Sequence, residues 1–209
     1  QRSMQAISIL NGTKWSNESL VEKMSTWIYK AFSPVIYEGY MMEIVKGRGL
    51  SRVTTGYSDA VAIIECMTQL SEAMEKDDAE KLKAYIKYIN DKTSISTNGF
   101  LSFKSIIDFN SIINDEKIIA KNALQASEHY TFNSMEKTVH IRDGYAFAIS
   151  RSSNRISKYE YMSGENLKPW FQGDGAFYLY KSGNDQTNSY GAKYFATINP
   201  YRLPGTTTP

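Results

Sequence analysis

Two arginines four residues apart, Arg48 and Arg52, stand in the segment MEIVKGRGLSR beside Gly47 and Gly49. If Arg48 opens a turn of helix, positions i and i+4 share a face and both guanidinium groups point the same way. A planar fork of N–H donors that stays charged at any working pH matches a carboxylate in bidentate fashion, so such a pair could clamp one. The same spacing also fits a solvated basic face. A second cluster lies in KYEYMSGENLKPWFQGDGAFYLY, where Glu160, Glu165, Asn166, Trp170 and Asp174 crowd around glycines that strands normally avoid. One reading makes it a polar rim with an aromatic wall for a sugar. The other makes it a hairpin corner whose carboxylates cap backbone amides.

Other chemistries lack a handle. The chain has no P-loop, no dinucleotide glycine fingerprint, no HExxH and no Cys/His cluster, so no cofactor and no metal is expected. The two histidines, His129 and His140, fall inside apparent strands, where a satisfied structural role is expected. The one cysteine, Cys66, sits in the apolar run AVAIIECMTQL and reads as a buried structural thiol. One thiol excludes an internal disulfide and is neutral on compartment.

The elements that must position these groups change character once. Leu20, Val21, Met24, Trp27, Ile28 and Phe32 recur at helical spacing, with Ser16 or Asn17 as N-cap and Pro34 as stop. Val61, Ile64, Met67 and Leu70 form a stripe over 58–74, and Leu82, Tyr85, Ile86 and Ile89 another over 78–89. Phe103, Ile106, Ile107 and Ile113 suggest a shorter helix over 100–113. After about Lys121 the period drops to two. EHYTFNSM, KTVHIRD, YAFAISRS, RISKYEYM and GAFYLYKS read as antiparallel strands separated by Asp-Gly, Ser-Asn and Gly-Asn turns. Helices segregated from strands give an α+β arrangement or two domains, with a boundary near residues 114–122.

Composition bounds the rest. The 209 residues suffice for one large or two small domains with a substantial core. A hydrophobic share of 42%, a charged share of 22% and a net charge of +2 exclude the polarity of a disordered chain and give no basic excess for nucleic acid. No apolar run reaches the roughly 18–20 residues a membrane span needs, so no membrane insertion is expected. Fifteen tyrosines, crowded into the second half, suit half-buried strands and also suit stacking on sugar faces.

MEIVKGRGLSR, TVHIRDGYAFAISRSSNRISKYEY, GENLKPWFQGDGAFYLY and NPYRLPGTTT, in that order, resemble signatures of polysaccharide lyase family 8, the family of hyaluronate, chondroitin AC and xanthan lyases. The resemblance runs from about Trp27 onward and looks most like the bacterial hyaluronate lyases. It implies that residues 1–118 are the end of an incomplete α/α toroid and that 119–209 begin a large antiparallel β-sandwich. It also implies export from the cell and an acidic polysaccharide partner, hyaluronan or chondroitin-like, with oligomeric state unread. The implied reaction is β-elimination, in which the C5 proton of a uronic acid is removed and the 4-linked oxygen leaves. Arg48 and Arg52 match the family's arginine pair beside the cleaved bond, and Glu160 matches a supporting carboxylate from the β-domain. Glu165, Asn166 and the aromatic Trp170 are secondary candidates for touching substrate. Ser163 stands where relatives commonly have Asn, and Lys168 and Pro169 stand where relatives often have glycine. The family's Asn, His and Tyr lie on earlier helices, upstream of this chain's first residue, and neither His129 nor His140 sits in a matching motif, so the chain alone is expected to be inactive. A non-catalytic carbohydrate-binding or structural module is the competing expectation.

Overall fold

Apolar residues at helical spacing build the first of two units into which the chain divides, residues 1–39 with 57–126; the second takes residues 40–56 with 127–209. The computed structural model describes residues 1–52, 55–125, 127–168, 172–187, 189, 190, 194, 197 and 199. In the first unit α1 spans Arg2–Leu10 and α2 spans Glu18–Trp27. Asn17, rather than Ser16, caps α2, its side chain accepting the Leu20 N–H at 3.0 Å. The helix does not run unbroken to Pro34. A π-helical turn over Ile28–Phe32 and a 3-10 turn over Ser33–Val35, with Pro34 in its first turn, take over after Trp27 and lead into the short strand β1, Ile36–Tyr37. Ile28 is buried, whereas Trp27 keeps 49% of its surface exposed.

The next two helices behave as their periods require. In α3, Thr55–Ser71, the residues Val61, Ile64, Met67 and Leu70 are buried, and so are Leu82, Tyr85, Ile86 and Ile89 of α4, Lys76–Thr93. Cys66 lies buried among them, and burial pushes its thiol pKa up, as an inert thiol requires. The last helix, α5 over Phe103–Asn114, is turned relative to the expected stripe: Phe103 and Ile107 are exposed, and Ser105, Phe109 and Ile112 are buried. Two contacts fix that rotation. Gln69 donates to Ser105 Oγ at 2.9 Å, and Phe109 meets Phe100 edge-on at 5.5 Å. The buried face of α5 thus combines a hydrogen-bonded hydroxyl with the apolar Phe109 and Ile112.

Glu65, fully buried on α3, does the work of an N-cap for α5. Ser102 makes no side-chain cap. Instead one Glu65 oxygen accepts the N–H groups of Leu101 at 3.0 Å and Ser102 at 2.9 Å, and the other accepts from the Gln1 amide at 2.8 Å. Among the described residues no helix is long and apolar enough to cross a membrane.

The second unit begins with β2, Tyr40–Met41, and continues after the helices with β3, His129–Phe132, β4, Lys137–Arg142, β5, Tyr145–Ser150, and β6, Ala176–Lys181. These last four form one antiparallel sheet in sequence order. Gly144, at φ +80°, makes the Asp-Gly turn between β4 and β5. Alternation puts Val139, Ile141, Ala146, Ala148, Tyr178 and Tyr180 on the buried face. Ala146 faces Tyr180 and Ala148 faces Tyr178 across the pairing, so small residues on β5 leave room for large ones on β6. On the opposite face Phe177 and Leu179 are exposed.

The expected strand RISKYEYM does not form. Residues 155–161 carry no strand, and the one pairing nearby is an isolated bridge between Met162 and Glu165. There Glu165 N–H donates to Met162 O at 3.0 Å, with Ser163 at φ +56° and Gly164 at φ +76°. A tight turn with both central residues at positive φ favours Asn-Gly over Ser-Gly. Glu160 O accepts from Asn166 Nδ2 and Asn166 N–H donates to Ser51 Oγ, bonds to side chains rather than to a strand.

Two outcomes follow from these contacts. Glu65→Ala should destabilise the protein by roughly 2–4 kcal/mol, because two helix-start N–H groups lose their acceptor, while Glu80→Ala on the exposed face of α4 should change stability by less than about 0.5 kcal/mol; urea denaturation midpoints compare them. Ser163→Asn should raise stability by about 0.5 kcal/mol in the same assay by relieving the positive-φ turn.

Candidate functional site

The arginine segment is held in place by a buried carboxylate. After Met42 the chain makes a 3-10 turn over Glu43–Val45, then a second over Gly47–Ser51. Glu43, 1% exposed, accepts from Tyr40 OH at 2.5 Å, from Lys46 Nζ at 3.0 Å and from Tyr180 OH of β6, and its own N–H donates to Tyr180 OH at 3.1 Å. Lys46 Nζ also lies 4.3 Å from the centre of the Tyr40 ring. Burial first, and the Glu43 charge second, push the Tyr180 pKa well above that of an ordinary phenol. The hydroxyl therefore remains a donor to Glu43.

The expected helical turn at Arg48 is a 3-10 turn, and Arg52 is extended. At three residues per turn, positions i and i+4 do not share a face. The guanidinium groups converge nonetheless, because Glu165 draws both. Arg52 donates Nε to Glu165 Oε1 at 2.7 Å and Nη2 to Oε2 at 2.9 Å, a bidentate pair, and Arg48 Nε reaches the same Oε2 at 3.0 Å. Arg48 also donates Nη1 to Glu160 Oε1 at 2.6 Å and its backbone N–H to Glu160 Oε2 at 2.8 Å. Gly47, at φ +55°, is required here: a Cβ would collide with Glu160 Oε2.

The loop carrying the carboxylates is pinned by amides. Asn166, buried and at φ +57°, donates Nδ2 to Glu160 O at 2.8 Å and to Gln172 Oε1 at 3.1 Å, and its N–H reaches Ser51 Oγ at 3.2 Å. Gln172 in turn donates to Gly47 O at 3.4 Å. Hydrogen bonds from Arg52, then from Arg48, hold the Glu165 carboxyl at a pKa of about 2. The Arg48 backbone and side chain lower that of Glu160. Two cations and two anions make the cluster neutral overall. Arg48 Nη2 has no acceptor among the described residues, which leaves its two N–H groups for another oxygen.

Of the residues singled out in the sequence, Arg48, Arg52, Glu160, Glu165 and Asn166 come together. Ser163 is exposed at the tip of its turn. Trp170 lies outside the described residues, as does Pro169. Asp174 stands apart and pairs with Lys158 at 3.1 Å. His129 and His140 face each other across β3 and β4, ring centres 5.9 Å apart, and neither is bonded to the cluster. Burial, then Arg142 and His129, lower the His140 pKa. Sequence reasoning missed Glu43, Lys46, Tyr40, Tyr180, Ser51 and Gln172. A lone Glu between Met42 and Ile44 was a usable signal of a satisfied buried charge, but its partner Tyr180 is 137 positions away.

The chain as a whole has counterparts among known proteins. Residues 4–88 match the family model described as polysaccharide lyase family 8, N terminal alpha-helical domain, and residues 127–209 match that of the family's super-sandwich domain. The chain is 33% identical over 189 residues to a hyaluronate lyase of Staphylococcus aureus, covering 88% of this chain and 23% of that protein. It is 33% identical over 205 residues to a xanthan lyase of a Bacillus species, covering 95% and 21%. The solved structure of a Paenibacillus xanthan lyase superposes with a TM-score of 0.80 at 32% identity, over 97% of this chain and 19% of that one. The chain thus spans roughly a fifth to a quarter of the length of these relatives. Both models describe domains of one family, matched here in order along the sequence, and the chain belongs to polysaccharide lyase family 8.

Proposed function

We propose that this chain is part of a polysaccharide lyase that cleaves hyaluronan or a similar uronic-acid polysaccharide by β-elimination, and that it supplies the arginine pair which meets the substrate. The observation that carries this reading is the convergence of Arg48, Arg52, Glu160 and Glu165, drawn from segments more than a hundred residues apart, into one hydrogen-bonded network with donors of Arg48 to spare. Relatives named hyaluronate lyase and xanthan lyase support the same reaction class.

In β-elimination a base takes the C5 proton, the electron pair forms the C4–C5 double bond, and the C4–O bond breaks with protonation of the leaving oxygen. The C5 proton becomes acidic only if the uronate carboxylate beside it is neutralised by hydrogen bonding. Arg48 and Arg52 are proposed to contribute donors to that carboxylate. Glu160 and Glu165 are proposed to aim the guanidinium groups rather than to react, and Asn166 to fix the loop. Ser163 and Trp170 are proposed as the groups that touch the sugar. No group among the described residues is assigned the base or the acid, because neither histidine joins the cluster, and the 209-residue chain alone is proposed to be inactive. A lyase for such polymers meets them outside the cell, so the parent protein is proposed to be exported.

The test follows the ultraviolet absorbance of the unsaturated uronate when hyaluronan is added to the full-length parent protein. Arg48→Ala, Arg52→Ala and Glu160→Ala should each lower kcat/KM by about a hundredfold or more, a loss of roughly 3 kcal/mol of transition-state stabilisation. Polysaccharide bound without any rise in absorbance would favour a binding module instead. Turnover by the 209-residue chain alone would overturn its proposed inactivity.

The geometry should also survive acid. A carboxyl held at about 2 in the folded chain, against an ordinary 4.5, stabilises the fold fully above about pH 4.5 and loses that contribution as pH falls toward 2. Between pH 5 and pH 2 the denaturation midpoint should therefore drop more for the natural protein than for Glu165→Gln, which has no such carboxyl to protonate; equal slopes would contradict the pairing.

A further inference from the structure

Glu160, Gly47 and Gln172 of the arginine network also form one side of a groove of about 510 Å³ that lies wholly within the second unit. Ser134, Lys137, Ser150, Ser157, Tyr159 and Tyr161 supply its chemistry. Its volume falls in the range that encloses one small ligand, roughly 300–1,000 Å³.

Lys137 is the informative residue. It is half-buried, and its ammonium donates to Ser150 Oγ. Arg48, Lys46, Arg155 and Lys158 of the same unit each have a carboxylate partner, whereas Lys137 has none among the described residues. Burial, then the neighbouring Arg151, lower its pKa, the condition in which an incoming anion gains most. A partly dehydrated ammonium beside serine hydroxyls presents donors to an anion without a resident competitor.

The apolar side comes from the segment that did not become a strand. Tyr159 and Tyr161 keep 39% and 58% of their surface exposed although both are large rings. Exposed tyrosines beside polar groups suit the apolar face of a pyranose, with the hydroxyl free to hydrogen-bond. The charge of Glu160, between them, is offset by its two hydrogen bonds from Arg48. The wall is fixed as well: a Cβ on Gly173 would strike the Lys158 carbonyl at 2.5 Å, and Lys158 pairs with Asp174 at 3.1 Å.

We propose that this groove is a second carbohydrate subsite, which takes one uronate residue with its carboxylate on Lys137 and its ring against Tyr161. The subsite rests on the reading that the protein handles acidic polysaccharide, and it would hold a sugar of the chain away from the bond being cleaved.

The experiment titrates the isotopically labelled full chain with sodium glucuronate and follows the backbone amides of Ser134, Lys137 and Tyr161 by nuclear magnetic resonance, with glucose as the neutral control. Glucuronate should shift these amides and glucose should shift them far less. Lys137→Met and Tyr161→Ala should each weaken the response by about tenfold, and added sodium chloride should weaken binding to the natural chain but not to Lys137→Met. Tyr161 is exposed, so its variant keeps the fold even if Lys137→Met loses it, and circular dichroism checks both. Unshifted amides, equal responses to glucose and glucuronate, or an unchanged affinity in a folded Lys137→Met variant would overturn the subsite. The readout needs no turnover, so an inactive parent protein and a failed subsite are distinguishable.

Discussion

Glu165 receives three N–H groups from two arginines, and that single carboxylate sets the direction of both guanidinium planes. Without it, Arg48 and Arg52 would be two like charges that share no acceptor, and Arg48 would keep only its bonds to Glu160. Each exposed pair by itself contributes little, commonly about 0–1 kcal/mol. What makes the set rigid is that its supports are buried: Asn166 and Gln172 are both nearly out of solvent and bonded to each other. The charged groups choose the geometry, and the amides beneath them keep the loop from relaxing away from it.

One level further in, the same logic recurs with Glu43. A carboxylate with 1% exposure is tolerable only when both its oxygens find donors, and Tyr40, Lys46 and Tyr180 provide them. This bond set ties the turn before Arg48 to the last residues of β6, so the arginine segment belongs with the sheet although helices flank it in sequence. The tyrosine excess in the second half has a structural cause here. Tyr178 and Tyr180 fill the space that Ala146 and Ala148 vacate, and one of them brings a hydroxyl to the buried charge.

Where period alone decides, the fold was legible. The stripes of α3 and α4 and the strands β4, β5 and β6 are where their alternation puts them, because burial of one face dominates their energetics. Period failed where polar satisfaction competed with it. Ser105, bonded to Gln69, is buried on α5 where Phe103 and Ile107 are exposed, and the tyrosine-rich stretch 155–161 lies outside the sheet with Glu160 O bonded to a side chain. The arginine pair and the loop with Glu160 and Glu165 could be singled out by residue type, but not their pairing. Nothing local in the sequence says that an arginine at 52 will meet a glutamate at 165. The two readings left open for the pair, a carboxylate clamp or a solvated basic face, resolve into something between them: a clamp already closed on a carboxylate of its own chain, at roughly one-third to one-half exposure.

A closed clamp changes what the arginines could offer a polyanion. Two positive and two negative charges within hydrogen-bonding distance cancel at range, so the cluster exerts little pull on a distant carboxylate; a screening length of about 8 Å removes most of what is left. Its selectivity is then geometric, resting on the unused N–H groups of Arg48, which reward only an oxygen that arrives in the right place. Long-range attraction has to come from cations without partners, and in the second unit Lys137 is such a group beside a cavity. Under the lyase reading, the two features divide the task by their electrostatics. The lysine without a carboxylate would hold the polymer, and the neutral cluster would discriminate the one carboxylate whose neighbouring proton is to be removed.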